Sequence, residues 1–213
     1  MKKFIMLTSF LCVVTAVNAQ AYPETEFTNE VSYFKKDDAV KIIRLEKNTS
    51  KIETKTKLGG FGGFEYGYVI EGEKSLVRLN PGSLSFIYST SGTAQPSSTQ
   101  ADSIMKAHGL DPATVAGMTA GMNDPSKSIA LYKVENAKGS RKILIQKSGG
   151  AIPFAGKKTK SSDKYSFSVK KIKDGYWELV VDKPLGKGEY AFTTSQALGS
   201  MDGGTTVFAF GID

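Results

Sequence analysis

Cysteine and histidine are nearly absent from this 213-residue chain, which contains one of each. Cys12 lies in an apolar N-terminal segment that would be removed as a signal peptide, so the mature chain would contain no cysteine. This excludes a disulfide framework, a thiol nucleophile and a thiolate-bound zinc or iron–sulfur site. His108 falls near the end of a predicted short helix, where an imidazole commonly interacts with terminal carbonyl groups. The sequence therefore predicts no catalytic, cofactor-binding or metal-binding residue, and we interpret the chain as non-catalytic.

Complete motifs for phosphate binding or serine catalysis are also missing. Between Gly150 and Gly156 there are five residues, where a Walker A loop has four. Ser161-x-x-Lys164 has the spacing of penicillin-binding serine enzymes, but it precedes a strand and has no partner motifs. An enzyme of unrecognised type remains an alternative without a motif to support it.

The N-terminus has the three parts of a secretory signal. Met1-Lys2-Lys3 is a short basic region, and residues 4–17 are apolar apart from Thr8, Ser9 and Thr15. Val17-Asn18-Ala19 then supplies small residues for cleavage before Gln20. The apolar run is shorter than the roughly 20 residues that span a bilayer. We therefore predict a signal peptide at residues 1–19, and export to the periplasm, the outer surface or the extracellular space, with no transmembrane segment after cleavage.

Beyond the signal, apolar residues mostly alternate with polar ones, which is typical of β-strands. Lys51, Glu53 and Lys55 form one charged face of such a strand, and residues 165–170 form a second clear example. Between residues 96 and 125 the period changes to that of two short helices. We predict a mainly β fold: an antiparallel β unit at 20–95, a helical hairpin at 96–125, and a Greek-key or Ig-like sandwich at 126–213. The two β halves could equally form one sheet system.

The end of the chain predicts a buried strand and a tyrosine corner. Phe208, Phe210 and Ile212 alternate with small apolar residues, so the strand is too apolar for an open edge. Leu185-x-Lys187-Gly188-x-Tyr190 is close to the pattern in which a tyrosine hydroxyl bonds back to the chain at a Greek-key crossover. We predict this structural role for Tyr190.

The last 90 or so residues resemble the C-terminal β region of uncharacterised secreted bacterial proteins. The resemblance is carried by Asp124-Pro125, Ile129-x-Leu131-Tyr132-Lys133, Gly139-Ser140-Arg141-Lys142, Gly188-Glu189-Tyr190-Ala191-Phe192 and Phe208-x-Phe210-Gly211-Ile212-Asp213. It implies a compact β domain and brings no assigned activity.

The positive charge of the chain is concentrated in one region. The formal net charge is +7, and residues 127–174 contain 13 basic residues against three acidic ones. Within this region a glycine- and lysine-rich loop is predicted to bind an anionic partner through six residues: Lys147, Phe154, Lys157, Lys158, Lys160 and Lys164. The alternative is that the lysines only solubilise the protein and protect its sheet edges.

The partner class stays open between acidic polysaccharide, lipid headgroups and an envelope protein. Few arginines and no recognition helix argue against nucleic acid. A second hypothesis is a structural or assembly subunit of the cell envelope that contacts another protein through exposed sheet and the loop Gly59–Gly63.

Overall fold

The structure is a computed structural model that describes residues 22–36, 40–56, 63–90, 124–149, 159–194 and 205–213. Of these residues 67% lie in strands, which confirms the predicted mainly β class. The described residues contain one four-residue helix, α1 (Pro125–Ser128), capped by the Asp124 side chain. The strands are β1 (Glu30–Lys35), β2 (Lys41–Arg44), β3 (Glu46–Thr56), β4 (Gly63–Glu71), β5 (Arg78–Leu79), β6 (Ser85–Ser89), β7 (Ile129–Ala137), β8 (Ser140–Gly149), β9 (Thr159–Lys160), β10 (Lys164–Tyr165), β11 (Phe167–Lys173), β12 (Tyr176–Val181), β13 (Gly188–Thr194) and β14 (Thr205–Ile212).

The strands form two sheets that both mix the two halves of the chain. A five-stranded antiparallel sheet has the order β11-β12-β6-β1-β2, and the second sheet runs β10-β7-β13-β14-β3-β4-β8-β9. Each sheet therefore contains strands from both sides of residue 95.

Six strands of the second sheet close into a barrel. The ring runs β7-β13-β14-β3-β4-β8 and is completed by pairing between β7 and β8. This corrects the predicted Ig-like sandwich, because β8 pairs along nearly its whole length with β4 from the first half of the chain. The β4–β8 pairing contains a bulge in β8: Tyr66 pairs with Gln146 and Gly67 with Leu144, which leaves Ile145 without a partner in β4. Opposite this bulge, a Cβ atom on Gly67 would lie 2.3 Å from the Ile143 carbonyl oxygen. Bulges bend a strand, and only glycine fits opposite this one.

The main core lies between the barrel and the five-stranded sheet. Phe208, Phe210 and Ile212 of β14 face this layer, while the alternate residues Val207 and Ala209 face the barrel interior. Aromatic rings dominate the layer, which contains Phe86, Phe192 and Phe210, with ring centroids of Phe86 and Phe192 4.8 Å apart. The predicted burial of the final strand is confirmed, because residues on both faces of β14 are buried. Its edges are also covered, because β14 lies between β13 and β3.

Tyr190, the tyrosine of the predicted corner, lies near the start of β13, just after the crossover from β12. The Tyr190 side chain is fully buried, and its hydroxyl donates to the Gly186 carbonyl at 2.8 Å. This is the bond back to the chain that a tyrosine corner makes. Leu185 is buried in the main core beside Tyr190, so the crossover is anchored by both side chains.

The strand pairing corrects one local prediction. The run at 165–170 is not one strand: Tyr165 pairs with β7 of the barrel, whereas Phe167 onward pairs with β12 of the five-stranded sheet. The chain thus passes from one sheet to the other at Ser166. Asn48, in the glycosylation sequon Asn48-Thr49-Ser50, lies within β3, and its amide donates to Glu46 at 2.6 Å. An asparagine engaged in this way is not presented as a glycan acceptor.

The segment at residues 22–29 crosses the outer face of the five-stranded sheet. Tyr22 stacks on Phe34 with ring centroids 5.5 Å apart and donates its hydroxyl to Glu178 at 3.0 Å. Tyr176 donates to the Pro23 carbonyl. Cleavage before Gln20 would leave this covering segment on the mature chain.

Several predictions fall outside the described residues. These are the signal peptide at 1–19, the helical hairpin apart from its last two residues, and the glycine-rich loop Gly59–Gly63 except Gly63. No helix among the described residues is long and apolar enough to cross a membrane.

Candidate functional site

The two ends of the barrel differ in what they contain. At one end, here the closed end, β7 and β8 are joined by the short turn before Ser140, and β14 ends at Ile212. At the opposite end, here the loop-bearing end, the chain leaves the barrel for the connections 57–62, 150–158 and 195–204. Binding residues of β proteins commonly lie on loops that a rigid scaffold positions, so the loop-bearing end is the candidate region for ligand binding.

Buried charge fills the closed end. Arg141 is 1% exposed, and its Nη2 and Nη1 donate to the two carboxylate oxygens of Glu46 at 2.6 and 3.2 Å. Its Nε donates to the Gly72 carbonyl, and Nη2 also donates to the Glu71 carbonyl, both at 3.0 Å. Burial alone would raise the pKa of Glu46, but the hydrogen bonds led by Arg141 hold it below its ordinary value. The arginine thus ties β8 to β3 and to the chain after β4.

A second arginine joins the C-terminus to the same end. Arg78 pairs with Glu189 and donates to Asp213 at 2.6 Å, and the two carboxylates raise the pKa of Arg78. Its guanidinium occupies the space over Gly211, where a Cβ atom would lie 1.7 Å from Nη1. Glu189 also accepts from the Ser75 amide at 2.8 Å. Because these charges are engaged with one another, the closed end is built for stability.

The outward faces of β3, β4 and β8, here the outer wall, carry an alternating row of charges. Lys142 contacts Glu53 at 2.8 Å and Glu65 at 2.5 Å, Lys55 contacts Glu53 at 2.9 Å, and Lys147 contacts Glu65 at 2.9 Å. Hydrogen bonds from Lys142 and Lys147 lower the pKa of Glu65 to about 2. Lys147, predicted as an anion-binding residue, is therefore partly neutralised by Glu65.

The other lysines of the predicted loop differ in their surroundings. Lys160 pairs with Glu135 at 2.8 Å on the same wall. Lys164 is exposed and has no carboxylate within 4 Å in the part of the chain that the structure describes. Lys157, Lys158 and Phe154 lie outside the described residues. Lys147 and Lys160 are therefore cross-strand neighbours in the β8–β9 pair. Lys164 lies in a different pair, β10–β7.

Three tyrosines, here the tyrosine rim, share the inward face of the barrel toward the loop-bearing end: Tyr66, Tyr68 and Tyr132. The rings of Tyr66 and Tyr68 lie 6.2 Å apart and are tilted by 59°. Tyr68 and Tyr132 pack on the inner core of the barrel, and all three side chains remain partly exposed. Burial, followed by a hydrogen bond with Tyr66 and the nearby Tyr132, raises the pKa of Tyr68.

Strand pairing brings Lys164 next to this rim. Lys164 of β10 is directly opposite Tyr132 of β7, so the two side chains start from the same side of the sheet, with Cβ atoms about 5 Å apart. Tyr66 and Tyr68 are two residues apart in β4, so they share a face of the strand. The sequence contained no signal for the approach of Tyr132 and Lys164, because it depends on the register of a two-residue strand.

These groups can donate and accept hydrogen bonds, offer aromatic surface and attract anions. The described part of the chain contains no group of three or more metal-ligating side chains. Comparison of the chain with family models, with curated proteins and with solved structures found no match.

Proposed function

We propose that this chain is an exported, non-catalytic binding module that engages an anionic polymer at the loop-bearing end of the barrel. One observation carries the proposal. Lys164, which has no described carboxylate within 4 Å, lies beside the partly exposed tyrosine rim at the end from which the connection 150–158, with Lys157 and Lys158, leaves. A cation without a close ion pair, beside hydrogen-bonding groups, is suited to an acidic ligand.

The proposal assigns unequal roles to the lysines. Lys147 and Lys160 already contact Glu65 and Glu135, so an incoming anion would have to compete with those carboxylates. Surface ion pairs of this kind contribute only about 0–1 kcal/mol, so the competition lowers affinity without preventing binding. Lys164, Lys157 and Lys158 are expected to contribute more.

Elution from an anionic polymer column at increasing salt tests the proposal. The mature chain is compared with Lys164→Ser, with the double variant Lys157→Ser/Lys158→Ser, and with Lys51→Ser. Lys51 is exposed and pairs with Glu71 toward the closed end, so Lys51→Ser removes the same single charge as Lys164→Ser. Because binding by ion release weakens steeply with salt, loss of a contacting lysine should lower the eluting salt concentration.

We expect Lys164→Ser and the double variant to elute earlier than Lys51→Ser. Equal shifts for the two single variants would mean that retention follows net charge alone. Passage of the wild-type protein straight through the column would refute the proposal.

A second candidate function, an assembly subunit, is favoured by one observation. Strand β11 ends the five-stranded sheet and pairs only with β12 among the described strands. Its lysines Lys170, Lys171 and Lys173 discourage pairing between two copies, so this edge would add a strand of a different protein through main-chain hydrogen bonds. Light scattering after size exclusion, with and without envelope extract, should then reveal a complex that persists at high salt. A monomer under all conditions would exclude this function.

A further inference from the structure

The tyrosine rim gives the loop-bearing end a chemical character that positive charge alone does not have. Tyr66, Tyr68 and Tyr132 each offer a ring face and a hydroxyl that both donates and accepts hydrogen bonds. Mouths of β-barrels lined by aromatic groups with a few polar atoms are common ligand sites.

Exposed apolar surface continues the rim. Ile52, directly opposite Tyr68 in the β3–β4 pair, is 43% exposed, and Phe64, two residues before Tyr66, is 38% exposed. A simple polyanion has no apolar face to cover such surface. A pyranose ring has one, because its axial C–H groups form an apolar patch while its hydroxyls lie around the edge.

We propose that the tyrosine rim and Lys164 form a sugar-binding platform, and that the anionic polymer is an acidic polysaccharide. This inference rests on the proposed function and names its ligand class. A sugar ring stacks on a tyrosine face, its hydroxyls bond to the tyrosine hydroxyls, and a uronate or sulfate group pairs with Lys164. Lipid headgroups fit less well, since the rim is part of a barrel interior and not a protruding apolar tip.

The alternative role of the rim is purely to cap the inner core of the barrel. Replacing tyrosine with phenylalanine separates the two roles, because the ring and its packing remain while the hydroxyl is lost. Tyr66→Phe and Tyr132→Phe are therefore the test variants. Tyr190→Phe is the matched control, since it removes a tyrosine hydroxyl that is fully buried in the main core.

The probes are polygalacturonate, which carries carboxylates on sugar rings, and polyglutamate, which carries carboxylates without rings. Affinities of the mature chain and its variants are measured by titration calorimetry at one salt concentration. We expect tighter binding to polygalacturonate, and a loss of about three- to tenfold for each rim variant from the missing hydrogen bond. Affinity for polyglutamate should stay unchanged, and Tyr190→Phe should bind like the wild type.

Two outcomes would overturn the inference, and they are distinguishable. Equal binding of both polymers with no effect of the rim variants would mean recognition by charge alone, which leaves the proposed function standing. Failure of the wild type to bind either polymer would overturn both the platform and the proposed function.

Discussion

Arg141→Leu tests whether the buried charges at the closed end hold the barrel together. The substitution keeps an aliphatic side chain in the site and removes four hydrogen bonds: two to Glu46 and one each to the carbonyls of Glu71 and Gly72. Arg141 is 1% exposed, so water cannot readily replace the guanidinium. The two carbonyls lose their arginine donor, and Glu46 loses its counter-charge.

The expected loss of unfolding free energy depends on the hydrogen bonds and hydration that Glu46 retains in the variant. Removing one partner of a buried ion pair costs about 3–5 kcal/mol of unfolding free energy. Glu46 retains hydrogen bonds from the Asn48 amide at 2.6 Å and the Leu76 backbone amide at 3.1 Å, and its side chain is 17% exposed. These remaining donors and partial hydration favour the lower part of the range. We therefore expect a loss of about 3 kcal/mol.

Urea unfolding, followed by tryptophan fluorescence, measures this loss, since Trp177 packs on the main core. The matched control is Lys51→Leu on β3, whose ion pair with Glu71 has both side chains about four-fifths exposed. Exposed pairs contribute about 0–1 kcal/mol, so the control should unfold nearly like the wild type. If Arg141→Leu costs no more than Lys51→Leu, the closed-end charges do not stabilise the barrel and our reasoning is refuted.

Three further predictions concern single positions. Gly67→Ala should lower the free energy of unfolding in urea by about 1–3 kcal/mol, because its Cβ would meet the Ile143 carbonyl. The control Gly186→Ala should be neutral, because no atom lies within 4 Å of its Cβ position. Equal losses for the two variants would contradict the close approach at Gly67. Tyr190→Phe should lower the free energy of unfolding by about 1 kcal/mol in the same assay, because its hydroxyl hydrogen bond to Gly186 is lost. No loss would mean that Tyr190 stabilises the corner through packing of its ring alone. The pKa of Glu65 is about 2 in the folded state, below its ordinary 4.5, so its contribution is complete above about pH 4.5 and disappears as the pH falls toward 2. Glu65→Gln should therefore flatten that part of the stability–pH profile, and an unchanged profile would contradict this assignment.

Local pattern was enough to predict most strands, because alternation reports which side chains share a face. The charged face of Lys51, Glu53 and Lys55 is the outward side of β3, as the alternation predicts. Barrel closure could not be predicted in the same way. It depends on pairing between β4 and β8, which lie far apart in sequence, and a bulge at Ile145 interrupts the simple alternation of β8.

The candidate site was only partly predictable for a similar reason. The local sequence around Lys147 and Lys160 is strongly basic, yet their nearest carboxylates, Glu65 and Glu135, come from other strands. A count of charges along the chain therefore overstates the positive potential of the folded wall. Lys164 differs from these two lysines because its cross-strand neighbour is Tyr132 and not a carboxylate. This neighbour is set by the register of β10 against β7, which the local sequence does not show.

The stabilising charges lie at the closed end of the barrel, and the proposed binding residues lie at the loop-bearing end. Stability and ligand binding should therefore be separable by mutation. Without cysteine in the predicted mature chain, rigidity must come from the aromatic core, the closed ring of strands and the charges around Arg141. Closing the ring also removes most sheet edges from the barrel. The loop-bearing end can then present tyrosines and lysines without being needed to hold the fold. Changes to the hydroxyl of Tyr66 or the charge of Lys164 should accordingly alter ligand binding while leaving unfolding nearly unchanged, whereas changes at Arg141 should do the reverse.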